Sequence, residues 1–192
     1  MCLALNAYVR ETNNRLDLLR ENRVENIAEY NKALPNGRAM KRIVIFIDEL
    51  AELMRASDKE TTKSITNSLE TLTRLSRAVG INIIMGLQRP DATIVNGQIK
   101  NNVSLRICGR FVDPEPSRIV LGSDMATRLP SIKGRFIIKD DEASEFQAFK
   151  ITTEMMRLID ISPREQKAPP NMLEDKGTTQ KTIDFDFDGM EL

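Results

Sequence analysis

The chain has 192 residues, 41% of them hydrophobic and 29% charged, which is enough apolar material for a packed core and excludes wholesale disorder. Its 28 Lys plus Arg balance 28 Asp plus Glu, so no global field draws it to nucleic acid and any such contact has to come from a local patch. Histidine is absent, which removes His-based triads, His metal sites and imidazole proton relays.

From the start of the chain, residues 3–21 place Leu5, Tyr8, Val9, Leu16 and Leu19 near one face of a helix, with Arg10, Glu11, Arg15 and Arg20 spread elsewhere. Val24, Ile27 and Tyr30 predict a second, short helix, and Pro35-Asn36-Gly37 a turn that releases the chain into a strand. That strand lies in Lys41–Met54, where five apolar residues, Ile43 to Ile47, run straight into Asp48 and Glu49. A continuous β-branched and aromatic run suits a strand buried on both faces of a parallel sheet. Charge then appears only where such a strand emerges, and ligands of open α/β sheets bind at that C-terminal end. Leu50, Leu53 and Met54 continue at helical spacing. Hydrophobic strand, Asp-Glu, helix is the layout of a Walker B segment, in which Asp48 would hold the Mg²⁺ shell and Glu49 would polarise the attacking water. The alternative is that two acids end a strand and cap the next helix, where the macrodipole favours negative charge.

The polar segment after Met54 offers Ser57 or Asp58 as an N-cap. The helix that follows has a buried stripe of Ile65, Leu69, Leu72, Leu75 and Val79, and Gly80 stops it in the left-handed conformation. A second apolar strand, Ile81–Leu87, ends at Gln88-Arg89-Pro90. Strand, helix and strand make a βαβ unit, parallel and right-handed. Residues 94–102 predict a short helix and Val103–Phe111 a third strand; Asp113–Pro116 breaks it, and Ser117 is placed to cap a short helix through Leu121. Strands Arg135–Lys139 and Glu145–Ile151 flank the acidic turn at residues 140–144 and read as an antiparallel hairpin at one edge of the sheet.

From about Ile161 the composition becomes that of a linker, with Pro163 and Pro169-Pro170. Its ending, IDFDFDGMEL, alternates apolar and acidic residues and fits either a docking strand or a solvated tail. The expected organisation is therefore one folded region, 1–160, and a polar, disordered tail, 161–192. The cysteines, Cys2 and Cys108, stand far apart without a partner motif and read as reduced. No apolar run approaches the ~20 residues of a membrane span, so the chain reads as cytoplasmic.

Together VIFIDELAELM, LETLTRLSRAVGINIIMGLQRP, IKNN at residues 99–102, the SLRICGRF strand with Ser117-Arg118 behind it, and the upstream ENRVENIAEYN resemble the motor domain of the FtsK/SpoIIIE family. The resemblance runs from about Leu5 to Ile138 and keeps order and spacing. It implies an α/β fold, part of a RecA-like P-loop NTPase, with a mainly parallel sheet, flanking helices and a C-terminal antiparallel hairpin. It implies ATP and Mg²⁺ as cofactors, double-stranded DNA as partner and a hexameric ring of like subunits. Membrane attachment would belong to the parent protein, at the inner face of the cell membrane, through segments outside this sequence. Asp48 and Glu49 fall on the Walker B acids, with Asp48 holding Mg²⁺ through water, and Gln88 on the sensor of the γ-phosphate. An amide left unsatisfied at a buried strand tip costs about 1–3 kcal/mol, and holding water or phosphate would satisfy it. Arg89 shapes the loop beside Pro90.

Ring ATPases stabilise transition-state charge with an arginine from a neighbour. Arg110 and Arg118 are the candidates, with Arg106 an equally basic neighbour and at least one of the three a surface ion-pair residue. Arg55, Lys59 and Lys63 fit a loop facing DNA phosphates or, more simply, a solvated charged loop. A Gly-rich run ending in Gly-Lys-Ser/Thr does not occur in the sequence, so the chain is expected to be the C-terminal part of a motor and, by itself, inactive. Gly86-Leu87 stands where Ala-Thr is commoner, Asp113–Pro116 is proline-rich, and the last glycine-rich turn is reduced to Lys133-Gly134. These departures point to a mobile-element or conjugative branch. The alternatives are an ATPase of a protein secretion system of the same family, or an interaction fragment without turnover.

Overall fold

The apolar runs of the sequence become strands and the 3.6-residue stripes become helices. The computed structural model describes residues 2–33, 39–55 and 57–158. Contacts divide the chain into Met1–Lys150 and Ile151–Leu192. In the second unit, Thr153–Leu158 forms a short exposed helix, α7.

The first unit opens with α1 (Cys2–Glu21) and α2 (Ile27–Ala33). Strand β1 (Ile43–Ile47) leads through α3 (Leu50–Arg55) and α4 (Lys59–Leu75) to β2 (Ile81–Met85). The two strands are parallel, in register from Ile43 opposite Ile81 to Ile47 opposite Met85, as the βαβ reading requires. Asp58 rather than Ser57 caps α4, its carboxylate accepting from Thr61 N at 2.8 Å. The core is built from Leu5 and Leu19 of α1, Leu50 of α3, Ile65, Leu69 and Leu72 of α4, and Val79 and Ile81 beyond it. Each such side chain contributes about 1.5–3 kcal/mol by leaving water. Gly80 has φ +76, and a Cβ there would run into the Ile27 side chain, whose own N–H donates to Ala78 O at 2.8 Å. The turn into β2 is therefore also the seat of α2.

Arg15, one of the charged residues spread away from the apolar face of α1, is buried. It pairs with Glu11 at 2.6 Å and donates to Lys41 O at 2.8 Å and Val79 O at 3.1 Å, tying α1 to the segments that enter both strands. A buried cation is tolerable only with such partners.

The expectation of a strand buried on both faces fails for β1. Ile45 and Ile47 face the core, whereas Val44 and Phe46 are 61% and 67% exposed, and Ile84 of β2 is 50% exposed beside them. An unbroken apolar run makes both faces apolar, but only one is covered by the described residues.

The third strand also departs from expectation. After α5 (Gly97–Asn102), β3 (Arg106–Gly109) joins β4 (Arg135–Lys139) and β5 (Ala143–Gln147) in a separate antiparallel sheet instead of extending the parallel one. The expected hairpin is β4–β5, pairing Arg135 with Gln147 through Lys139 with Ala143, so its second strand begins and ends earlier than predicted. Phe136 and Phe146, opposite each other, stack with centroids 5.8 Å apart. One face of this sheet packs Cys108 and Ile137 against Leu121 of α6 (Pro114–Leu121), Ala126 of a 3₁₀ turn (Met125–Arg128), and Leu129. Burial pushes the Cys108 thiol up to about 11, in keeping with an inert, reduced side chain.

Ser117 does not cap α6, which starts at Pro114 with Asp113 in the cap position. It lies fully buried within the helix, its hydroxyl donating to Ser123 O at 2.6 Å and accepting from Ala126 N at 3.1 Å. It locks α6 to the 3₁₀ turn. The turn at Pro35–Gly37 and the tail 161–192 lie outside the described residues. Among the described residues no helix is long and apolar enough to cross a membrane.

Candidate functional site

Parallel pairing in register brings the exits of β1 and β2 side by side. Asp48 and Glu49 follow Ile47, Gly86 to Gln88 follow Met85, and Ile47 and Met85 are partners. The main chain knits these exits together. Gly86 N donates to Ile47 O at 2.7 Å, and Leu50 N donates to Gly86 O at 3.1 Å. A Cβ on Gly86 would overlap the backbone oxygen of Asp48, so close approach requires glycine here.

Glu49 sits half-buried at this junction. Its Oε1 accepts from Ala51 N at 3.2 Å, in the manner of a cap on α3, and its Oε2 accepts from Gln88 N at 2.8 Å. The helix-cap role weighed from sequence thus falls on one oxygen of the carboxylate, and a contact to the neighbouring strand exit, which the sequence did not indicate, on the other. Asp48 is exposed and makes no hydrogen bond or ion pair among the described residues. The Gln88 side chain is likewise exposed, which corrects the picture of an amide at a buried strand tip. What Gln88 contributes to the junction is its main-chain N–H. Arg89 is exposed and Pro90 buried. Just beyond, Asp91 accepts from Thr93 N and Oγ1, both at 2.7 Å. The backbone bond first, then the hydroxyl and nearby Arg55, hold its carboxyl below the usual range.

The three arginines separate cleanly. Arg106 is half-buried, with Nε donating to Val103 O at 3.0 Å, Nη1 to Val120 O at 3.3 Å and Nη2 to Lys100 O at 2.8 Å. It is a clamp joining α5, β3 and α6. Arg110 and Arg118 are exposed, and their side chains have no partner among the described residues. Arg118 offers only its carbonyl, to Lys100 Nζ at 3.1 Å. The basic residues expected in a polar loop after the acids are helical instead: Arg55 ends α3 and pairs with Glu52 at 3.2 Å, and Lys59 and Lys63 are exposed in the first turns of α4.

Beside the strand exits an apolar cleft of ~180 Å³ is lined by Leu50, Met85, Leu87, Pro90, Ile107 and Phe111, among others. Small-molecule sites span roughly 300–1,000 Å³, so this cleft alone is smaller than such a site among the described residues. They also contain no cluster of three or more metal-ligating side chains. Sequence reasoning missed Gly86, the Gln88 N–H and the Arg106 clamp. Only Gly86 carried a signal, as a lone glycine interrupting an apolar strand.

No family model matches the chain. It is 38% identical over 126 residues to the protein named DNA translocase FtsK from Chlorobaculum tepidum, a match covering 66% of this chain and 15% of that protein. Its fold is similar to the monomer form of the pCW3 conjugation coupling protein TcpA with ATPγS, at 46% identity and a TM-score of 0.72, over 82% of this chain and 48% of that one. The cytoplasmic domain of the type VII secretion ATPase EccC from Thermomonospora curvata is also similar, at 25% identity and a TM-score of 0.62, over 75% of this chain and 17% of that one. The chain spans less than half the length of each of these. The α/β architecture, with its parallel pair and separate antiparallel sheet, is that of a P-loop ATPase motor domain.

Proposed function

This chain belongs to the FtsK/SpoIIIE family of motor domains, and we propose that it forms part of an ATP-driven translocase of double-stranded DNA, of the conjugative branch. The single observation that carries the proposal is the Glu49 carboxylate, held between Ala51 N–H and Gln88 N–H where the two parallel strands end. It joins the two motifs that the chemistry needs into one site.

In this reading Asp48 holds Mg²⁺ through water. The fit is good: an exposed carboxylate with free oxygens suits a hard cation that keeps its waters and relies on substrate phosphates, and no all-protein cage is needed. When bound, Mg²⁺ would neutralise charge on the transferring phosphoryl group. Glu49 retains lone pairs to accept a proton from the attacking water. The exposed Gln88 amide is free to reach the γ-phosphate. Arg110 and Arg118, whose side chains have no partner among the described residues, remain the candidates to reach a neighbouring subunit's nucleotide in a hexameric ring, whereas Arg106 is committed to three carbonyls. The parent protein would work at the cytoplasmic face of the membrane.

The test is ATP turnover by the intact protein as DNA and salt are varied. Stimulation by duplex DNA that falls steeply with salt supports the proposal, since phosphate contacts release counterions. The similarity to EccC favours one second reading, a protein cargo. Stimulation by a secreted polypeptide and none by DNA would establish that reading instead.

A further inference from the structure

We infer that the backbone N–H of Gln88 is a positioning group for Glu49, so that the strand exit carrying the sensor and the acid that polarises water move as one piece. The inference rests on the assignment of Glu49 made above.

Two donors meet the carboxylate from different elements. Ala51 N, in α3 next along the chain, binds Oε1 at 3.2 Å, and Gln88 N, thirty-nine residues away, binds Oε2 at 2.8 Å. One contact would leave the carboxyl group free to swing about its χ angles; two on opposite oxygens fix both its position and its plane. A carboxylate offers about four acceptor sites, so two remain for water and a proton. The latch therefore orients the acid without consuming it.

The position of Gln88 N is itself imposed. Gly86 donates to Ile47 O at 2.7 Å and accepts from Leu50 N at 3.1 Å, and it has no room for a Cβ against the Asp48 oxygen. Any shift of the exit of β2 is thus transmitted within two residues to the Glu49 carboxylate. The main chain and the side chain of Gln88 consequently have separable tasks. The N–H holds the acid, while the exposed amide is left for a ligand.

Replacing the Gln88 amide bond by an ester in the intact ATPase removes the N–H and keeps the side chain, while Gln88→Ala does the reverse. The ester should lower kcat about tenfold with the KM for ATP unchanged, the pattern of an interaction that matters only in the transition state. Unchanged kcat in the ester, with turnover abolished in Glu49→Gln, would overturn the latch and leave the assignment of Glu49 intact. Amide hydrogen exchange on the 192-residue chain tests the contact without any turnover. Glu49→Ala should speed exchange at Gln88 about tenfold and leave Gly86, bonded to Ile47 O, unchanged. Equal exchange at Gln88 in both proteins would overturn the inference whatever Glu49 does in catalysis.

Discussion

The parallel pair β1–β2 and the antiparallel sheet β3–β4–β5 each bury one apolar face, and they differ in what happens at their ends. In register, parallel strands bring successive C-terminal exits together, so Glu49 after β1 meets the Gln88 N–H after β2. In the antiparallel sheet each exit lies beside a neighbour's entrance, and no such cluster of exits forms. There, long cations reach main-chain carbonyls instead. Arg106 holds Lys100, Val103 and Val120, and Lys139 Nζ donates to Leu121 O at 2.6 Å. Strand direction, more than residue type, decides which sheet gathers polar groups at one edge and which consumes them in holding itself together.

Four changes probe this contrast, from the largest effect to the smallest. Ile45→Ala removes a side chain from the packed face of β1 and should cost about 2–5 kcal/mol in urea denaturation. Arg106→Ala strips three carbonyls of their charged donor and should cost about 2–3 kcal/mol. A near-neutral result would mean that the antiparallel sheet does not depend on its cations. Asp58→Asn probes pH. Its bond from Thr61 N, first, and from the Thr61 hydroxyl lower the Asp58 pKa below 3.8. A depressed carboxylate stabilises the fold fully above its ordinary value and loses that contribution as pH falls through the lowered one. The wild type should therefore lose stability in that acid window, and the Asn variant, which still caps but cannot titrate, should lose less. Phe46→Ser, on the bare face of the same strand as Ile45, should shift stability by no more than ~0.5 kcal/mol. A cost equal to that of Ile45→Ala would show that this face is covered in solution.

Local patterns made much of the fold legible. The apolar runs at Ile43–Ile47 and Ile81–Leu87, the second a strand only to Met85, the stripe of Ile65, Leu69 and Leu72, and the cap preceding Lys59 all rest on periods and termini that a single segment carries. Arg15, Arg106 and Ser117 were not legible, because each looks like an ordinary polar residue until distant carbonyls converge on it. The pairing of β3 was hidden for the same reason, since an apolar strand does not say which partner it will take. At the site, the acids and Gln88 were read as side chains in a row. That Gln88 engages Glu49 through its main chain depends on the register of two strands, which no spacing in the sequence encodes.

The central claim is that Glu49, held at the joined exits, is the carboxylate that activates water. Its most direct test is Glu49→Gln in the intact protein, measuring ATP binding and turnover together. The claim predicts binding close to wild type with turnover lowered at least about a hundredfold, as loss of a positioned general base requires. Near-normal turnover in that variant would contradict it.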